Sequence, residues 1–153
     1  METRVHVSLE VSDLDRSVAF YTALFAREPS KRKADYANFR MEGPNLHLAL
    51  VQMPGRISEA AGSNRHYGIE LFDDLKLAEW LKAAQAAGLE PRIEMGATCC
   101  YAVADKFWAR DPDGHEWEFW VRHDEAETMH APEAKAETPA IPKAARCCAP
   151  GAC

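Results

Sequence analysis

The chain has 153 residues, a length that gives one domain as the prior and buries roughly 68–70% of the unfolded surface in a single core. A composition of 47% hydrophobic and 27% charged residues, with no apolar run near the roughly 20 residues of a spanning helix, excludes membrane-spanning helices and fibrous classes. Lys and Arg number 18 against 24 Asp and Glu, a formal charge of -6, which repels a phosphate backbone and argues against nucleic acid as a partner.

The first residues, Met1-Glu2-Thr3-Arg4-Val5-His6, lack the basic start and long apolar stretch of a secretory signal, so a cytoplasmic location is expected. His6-Val7-Ser8-Leu9-Glu10-Val11-Ser12-Asp13 alternates apolar with polar, the period of a half-buried strand. Ser12 or Asp13 then caps a helix with an apolar face of Leu14, Val18, Tyr21, Leu24 and Phe25, closing near Pro29. Strand-like segments follow at 36–41 and 46–51 around the turn Glu42-Gly43-Pro44-Asn45.

At an offset of 60 the pattern starts again: His66-Tyr67-Gly68-Ile69-Glu70-Leu71-Phe72-Asp73 repeats H-x-(S/G)-(L/I)-E-(V/L)-x-D. Asp73 or Asp74 caps a second helix bearing Leu77, Trp80, Leu81 and Ala84, stopped by Gly88 and Pro91. Strands are expected at 97–103, 107–109 and 117–122, the last two joined by the hairpin signal Asp111-Pro112-Asp113-Gly114. The fold class is thus α+β: two paired βαβββ modules, about 4–55 and 64–123, forming a curved mixed sheet around a cleft within one domain, 1–123. From 124 to 153 the composition turns to Ala, Glu, Lys and Pro, and a flexible, disordered tail carrying Cys147, Cys148 and Cys153 is expected.

Five cysteines stand at 99, 100, 147, 148 and 153. The number is odd, four are adjacent pairs that would close a strained ring, and a reducing cytosol keeps thiols free, so they read as thiol ligands. Cys99-Cys100 follows Gly96-Ala97-Thr98, which suggests a mobile loop just before a strand. Neighbouring thiolates favour a soft, thiophilic centre such as trivalent arsenic or Cd²⁺.

Strand alternation puts His6, Ser8 and Glu10 opposite the helix-packed face, and does the same for Glu118 between Trp117 and Phe119. His6, His66 and Glu118 then share one concavity if the modules pair. Two imidazoles and one carboxylate on one side of an ion form a facial triad suited to Fe(II); equally, the two histidines repeat because the unit was duplicated. Matching the second hairpins sets His47 against Glu118, as a pocket residue rather than a ligand. His115 is expected on the other face, and His123 and His130 in solvent at the start of the tail.

The stretches His6-Val7-Ser8-Leu9-Glu10-Val11-Ser12-Asp13-Leu14-Asp15-Arg16-Ser17-Val18-Ala19-Phe20-Tyr21 and Asp111-Pro112-Asp113-Gly114-His115-Glu116-Trp117-Glu118 resemble the vicinal oxygen chelate superfamily of glyoxalases, fosfomycin-resistance proteins and extradiol dioxygenases. Tyr36-Ala37-Asn38-Phe39, Thr98-Cys99-Cys100-Tyr101-Ala102 and Asp105-Lys106-Phe107-Trp108 look like its arsenic- and cadmium-inducible branch of carbon-arsenic lyases. The resemblance spans residues 4 to about 123. It implies a metal-containing cleft in which His6, His66 and Glu118 bind Fe(II), although some members of the branch have Gln where this chain has His6. It further implies that Cys99 and Cys100 hold a trivalent organoarsenical, methylarsenite or a reduced aromatic one, while O₂-dependent cleavage releases arsenite. Tyr101 and Lys106 are the remaining catalytic candidates, and a homodimer is left open. The competing readings are a cytosolic protein that sequesters arsenic or cadmium, and a glyoxalase-like resistance enzyme.

Overall fold

A computed structural model describes residues 3–53, 55 and 65–130; the tail thiols Cys147, Cys148 and Cys153 lie outside the described residues. The order of elements is β1 (Val5–Val11), α1 (Leu14–Phe25), β2 (Lys31–Arg32), β3 (Tyr36–Glu42), β4 (Asn45–Gln52), β5 (His66–Leu71), α2 (Asp74–Ala86), β6 (Arg92–Cys99), β7 (Ala102–Arg110) and β8 (Glu116–Glu125). This is βαβββ twice, as the repeat predicts. Each module is a four-stranded mixed sheet, ordered β1-β4-β3-β2 in the first and β5-β8-β7-β6 in the second. In both, the first strand pairs in parallel with the last and the other pairs are antiparallel. Among the described residues no ladder joins the two sheets, so β1 and β5 are each an edge.

Both helices start at the capping Asp that follows the strand. The Asp13 carboxylate accepts the Arg16 N–H at 3.0 Å, and the Asp73 carboxylate accepts the Leu75 N–H at 2.8 Å, satisfying first-turn donors that the helix leaves orphaned. The period of α1 buries Leu14, Val18, Tyr21, Leu24 and Phe25 in one stripe. That stripe meets Phe39 of its own sheet and Trp80 and Trp117 of the other module in a cluster of tilted and edge-to-face rings. One core therefore spans both modules, and each large side chain fully removed from water contributes roughly 1.5–3 kcal/mol.

The Asp111-Pro112-Asp113-Gly114 turn does more than reverse the chain. Asp113 accepts the Ser12 N–H at 3.1 Å, and the fully buried Asp111 carboxylate accepts the Tyr21 hydroxyl at 2.8 Å. The Trp117 indole N–H donates to the same Tyr21 oxygen at 3.1 Å. Burial, then the Asp111 charge, hold the Tyr21 phenol well above its ordinary pKa. The hairpin of the second module is thereby clasped onto the first turns of α1.

Three expectations need correction. The stretch 97–103 is not one strand, because the chain reverses at Cys100-Tyr101, where both residues have positive φ (55° and 63°). This two-residue turn replaces the expected mobile loop. Second, the body does not end at 123: β8 continues to Glu125, and Cys99 bridges His130. The polar residues there remain ordered because their backbone groups pair with β7, Arg122 with Ala104 and Glu125 with Ala102. Third, the β4 residue paired with His6 is His47, and the β8 residue paired with His66 is Glu116, so Glu118 corresponds to Ala49 and not to His47.

Candidate functional site

The side of the second sheet away from the helices carries a cleft of about 440 Å³ lined by His66, Cys99, Cys100, Lys106, Trp108 and Glu118, among others. The alternation that buries Phe107, Trp117 and Phe119 under the helices sends Lys106, Trp108 and Glu118 to the opposite face. Trp108 pairs with Glu118 across the β7–β8 ladder, and Gly68 pairs with Glu118 from β5.

Glu118 is the centre of this face. Its Oε2 lies 3.5 Å from His66 Nε2, and its Oε1 accepts from the Lys106 ammonium at 2.9 Å. Lys106 and Glu118 side chains are only 6% and 12% exposed, so each needs the other as its charge partner. Burial alone would lower the Lys106 pKa, but the Glu118 carboxylate outweighs it and the net shift is upward. The Trp108 ring stands edge-on to His66 at 5.0 Å and 5.5 Å from the Lys106 ammonium, a cation–π distance that fixes the lysine from its other side.

At the rim, Cys99 Sγ and Cys100 Sγ are 3.4 Å apart, and both cysteines are free thiols. Positive φ at two residues that carry side chains costs on the order of 1–3 kcal/mol each. The chain after β8 holds the turn: Cys100 N–H donates to Met129 O at 2.8 Å, and Ala126 N–H to Tyr101 O at 2.7 Å. The hydrogen bond with Cys100, followed by burial, raises the Cys99 pKa, while the Lys106 charge opposes both. Tyr101, 55% exposed, forms the outside of the turn and does not line the cleft. Of the two further catalytic candidates, the cleft therefore holds Lys106 and leaves out Tyr101.

His6 lies on the corresponding face of the first sheet, stacked on His47 with ring centroids 4.6 Å apart. His47 is a half-buried neighbour whose buried Nε2 has no hydrogen-bond partner among the described residues, and desolvation, then the His6 charge, lower its pKa. Within one chain the ligand atoms of His6, His66 and Glu118 do not all come within 4.8 Å of one another; the three residues that do, among those described, are Asp74, Asp105 and His123. His66 and Glu118 are thus brought together, and His6 is not. His115 points away from the cleft as expected, donor or acceptor to Asp111 at 2.9 Å. His123 and His130 are exposed, as expected, yet neither is isolated: His123 sits against Asp74 and Asp105, and His130 lines the cleft with Met129.

A sequence model of the Glyoxalase/Bleomycin resistance protein/Dioxygenase superfamily matches residues 3–119. The chain belongs to this superfamily. Among curated relatives, it is 38% identical to a trivalent organoarsenical cleaving enzyme of Bacillus sp. (strain MD1), covering 96% of this chain and 91% of that one. It is 37% identical to the cadmium-induced protein CadI of Mycobacterium bovis (strain ATCC BAA-935 / AF2122/97), covering 83% and 81%. The superfamily fold is seen in the crystal structure of a glyoxalase/bleomycin resistance protein/dioxygenase from Alicyclobacillus acidocaldarius, with a TM-score of 0.66 at 20% identity, over 80% of this chain and 92% of that one. Among the described residues, no helix is long and apolar enough to cross a membrane.

Proposed function

We propose that the protein is a cytoplasmic enzyme that cleaves the carbon-arsenic bond of trivalent organoarsenicals, such as methylarsenite or reduced aromatic arsenicals, and releases arsenite in an Fe(II)- and O₂-dependent reaction. The observation that carries this reading is the pair of sulfurs 3.4 Å apart at the mouth of the cleft that holds His66 and Glu118. Two sulfurs at that spacing can bond one trivalent arsenic: each thiol gives up its proton to a hydroxyl of the arsenical, two As–S bonds replace two As–O bonds, and two molecules of water leave. The curated relatives named for organoarsenical cleavage support the same reading.

The donor set fits a divalent metal. An imidazole nitrogen and a carboxylate oxygen already converge 3.5 Å apart, and the site keeps room for a third ligand and for substrate. His66 and Glu118 would hold the ion, with His6 completing the set from a second copy of the chain in a homodimer. The open edges of β1 and β5 and the distance of His6 from the pair within one chain support this arrangement. Bound there, Fe(II) supplies the binding and activation of O₂.

The remaining work falls to the protein. Cys99 and Cys100 fix the arsenic, turning a bimolecular encounter into a positioned one. Lys106 holds the Glu118 carboxylate in place and keeps a positive charge facing the thiolates that arsenic binding requires. Trp108 and Trp120 wall the cleft and exclude water from the organic substituent.

Cys99→Ala and Cys100→Ala should each abolish arsenite release from methylarsenite, leaving iron content unchanged, when iron-loaded protein is incubated with and without O₂. Arsenite formed equally without O₂, or by the doubly substituted protein, would overturn the reading. The sequestering alternative predicts that arsenite binds as well as methylarsenite and that nothing is released.

A further inference from the structure

We infer a second metal site, for a borderline divalent cation of the Zn²⁺ class, at Asp74, Asp105 and His123, on the helix side of the second sheet and independent of the function proposed above. The three residues come from different elements: Asp74 opens α2, Asp105 lies in β7 and His123 near the end of β8. Their ligand atoms all lie within 4.8 Å of one another. Asp105 shares its face of β7 with Phe107, whose ring stacks on Phe119 beneath α2. Lys106 and the cleft are on the opposite face.

The separations fit a shared ion. His123 Nε2 is 3.2 Å from Asp105 Oδ2 and 3.6 Å from Asp74 Oδ1. Ligand atoms about 2.0–2.1 Å from a tetrahedral ion stand roughly 3.3 Å apart, between these two separations. The nitrogen faces both carboxylates at once, and one ring N–H cannot serve two acceptors in good geometry.

Asp105 is also oriented from behind. Its Oδ1 accepts the Gly96 N–H at 2.6 Å, which leaves Oδ2 turned to His123. Gly96 reaches it because β6 breaks register between Glu94 and Ala97 and Gly96 adopts φ +59°, a conformation that glycine takes without penalty. Orientation of one carboxylate oxygen by a backbone donor is the outer-shell arrangement typical of metal ligands. One imidazole and two carboxylates suit Zn²⁺, Co²⁺ or Mn²⁺, and lack the thiolates that soft ions prefer. An ion here would pin the first turn of α2 to the β6–β7 hairpin, whose turn carries Cys100 with Cys99 beside it.

The test is a Co²⁺ titration of the full chain, freed of metal with a chelator and kept reduced, in a His66→Ala/Glu118→Ala background that disables the cleft site. That protein should still bind one equivalent of Co²⁺, with a visible spectrum lacking sulfur-to-cobalt charge transfer, and should melt at higher temperature when loaded. His123→Ala in the same background should lose both the equivalent and the melting shift, and Asp105→Asn should weaken binding at least tenfold; circular dichroism confirms that each variant is folded. No binding in the background protein, binding through sulfur only, or binding undiminished by His123→Ala and Asp105→Asn would overturn the inference. Failure of the cleft reading would instead show as Cys99→Ala and Cys100→Ala proteins that still release arsenite.

Discussion

Removing the charge of Lys106 tests how the cleft is held before any metal enters. Two opposite charges 2.9 Å apart attract by about 6 kcal/mol at an effective dielectric constant near 20, but both groups were taken out of water to form the pair. Deleting one partner of a buried pair typically costs about 3–5 kcal/mol, most of it from stranding the other charge. Glu118 keeps a second neighbour in His66 at 3.5 Å, which puts the expected loss for Lys106→Met near the lower end, about 3 kcal/mol. A chain of this size shifts by about 2–4 °C per kcal/mol, so metal-free Lys106→Met should melt roughly 6–12 °C below its parent. A divalent cation bound by Glu118 replaces the missing ammonium, and loading should recover most of the difference. Lys106→Met/Glu118→Gln, which removes both charges, should also recover much of it, a non-additivity read from a double-mutant cycle. A metal-free single variant melting within about 2 °C of its parent, or a double variant no better than the single, would refute the reasoning.

Three further outcomes follow from the same geometry. Tyr101→Gly relieves one positive-φ side chain outside the cleft and should raise the melting temperature by about 2–4 °C, corresponding to about 1 kcal/mol, with arsenite release unchanged; a fall in either measurement would show that the Tyr101 side chain has a role in the turn or in catalysis. The hydrogen bond to Asp111, opposed by burial, raises the His115 pKa, so this pair stabilises the fold fully below the unfolded value of about 6.5 and its contribution fades as pH rises through the higher folded value; urea midpoints across that window should fall, and Asp111→Asn should flatten the slope. If His6 completes the metal site from a second copy, His6→Ala and Glu118→Ala proteins, each metal-poor alone, should regain about a quarter of parental metal when co-refolded, since half the dimers are mixed and each has one intact site. No recovery would assign all three ligands to one chain or none.

Much of the fold is legible in the sequence because it is written locally and twice. The strand alternation from His6 to Val11 and from His66 to Leu71, each followed by a capping Asp, is repeated at a fixed offset, so each copy checks the other. The face of Glu118 and the proximity of His66 follow from the same alternation. What period alone does not encode is register between strands distant in sequence. The turn after β3 occupies two residues and the one after β7 occupies the stretch from Asp111 to His115, so hairpins aligned on sequence alone slip the His47–Glu118 correspondence by two positions without changing its face.

The Cys100-Tyr101 turn was illegible for a different reason. Two-residue hairpins with positive φ at both central positions are signalled by Asn-Gly or Asp-Gly, and Cys-Tyr breaks that rule. Such a conformation persists only where surrounding structure over-determines it, and here the support comes from Met129 and Ala126, in a stretch whose composition reads as tail. A sequence that kept local rules would have placed glycine at this turn and ended the body at 123. The departure sets two sulfurs 3.4 Å apart over Lys106 and Glu118, and the cost of the turn falls where the proposed chemistry needs a dithiol. The first module has the same strand frame with Ala49 in place of Glu118, and its concave face offers imidazoles but no carboxylate at that position. The two modules share one frame, and the residues of the candidate site come from four places in the second: His66 of β5, the Cys99-Cys100 corner between β6 and β7, Lys106 of β7 and Glu118 of β8.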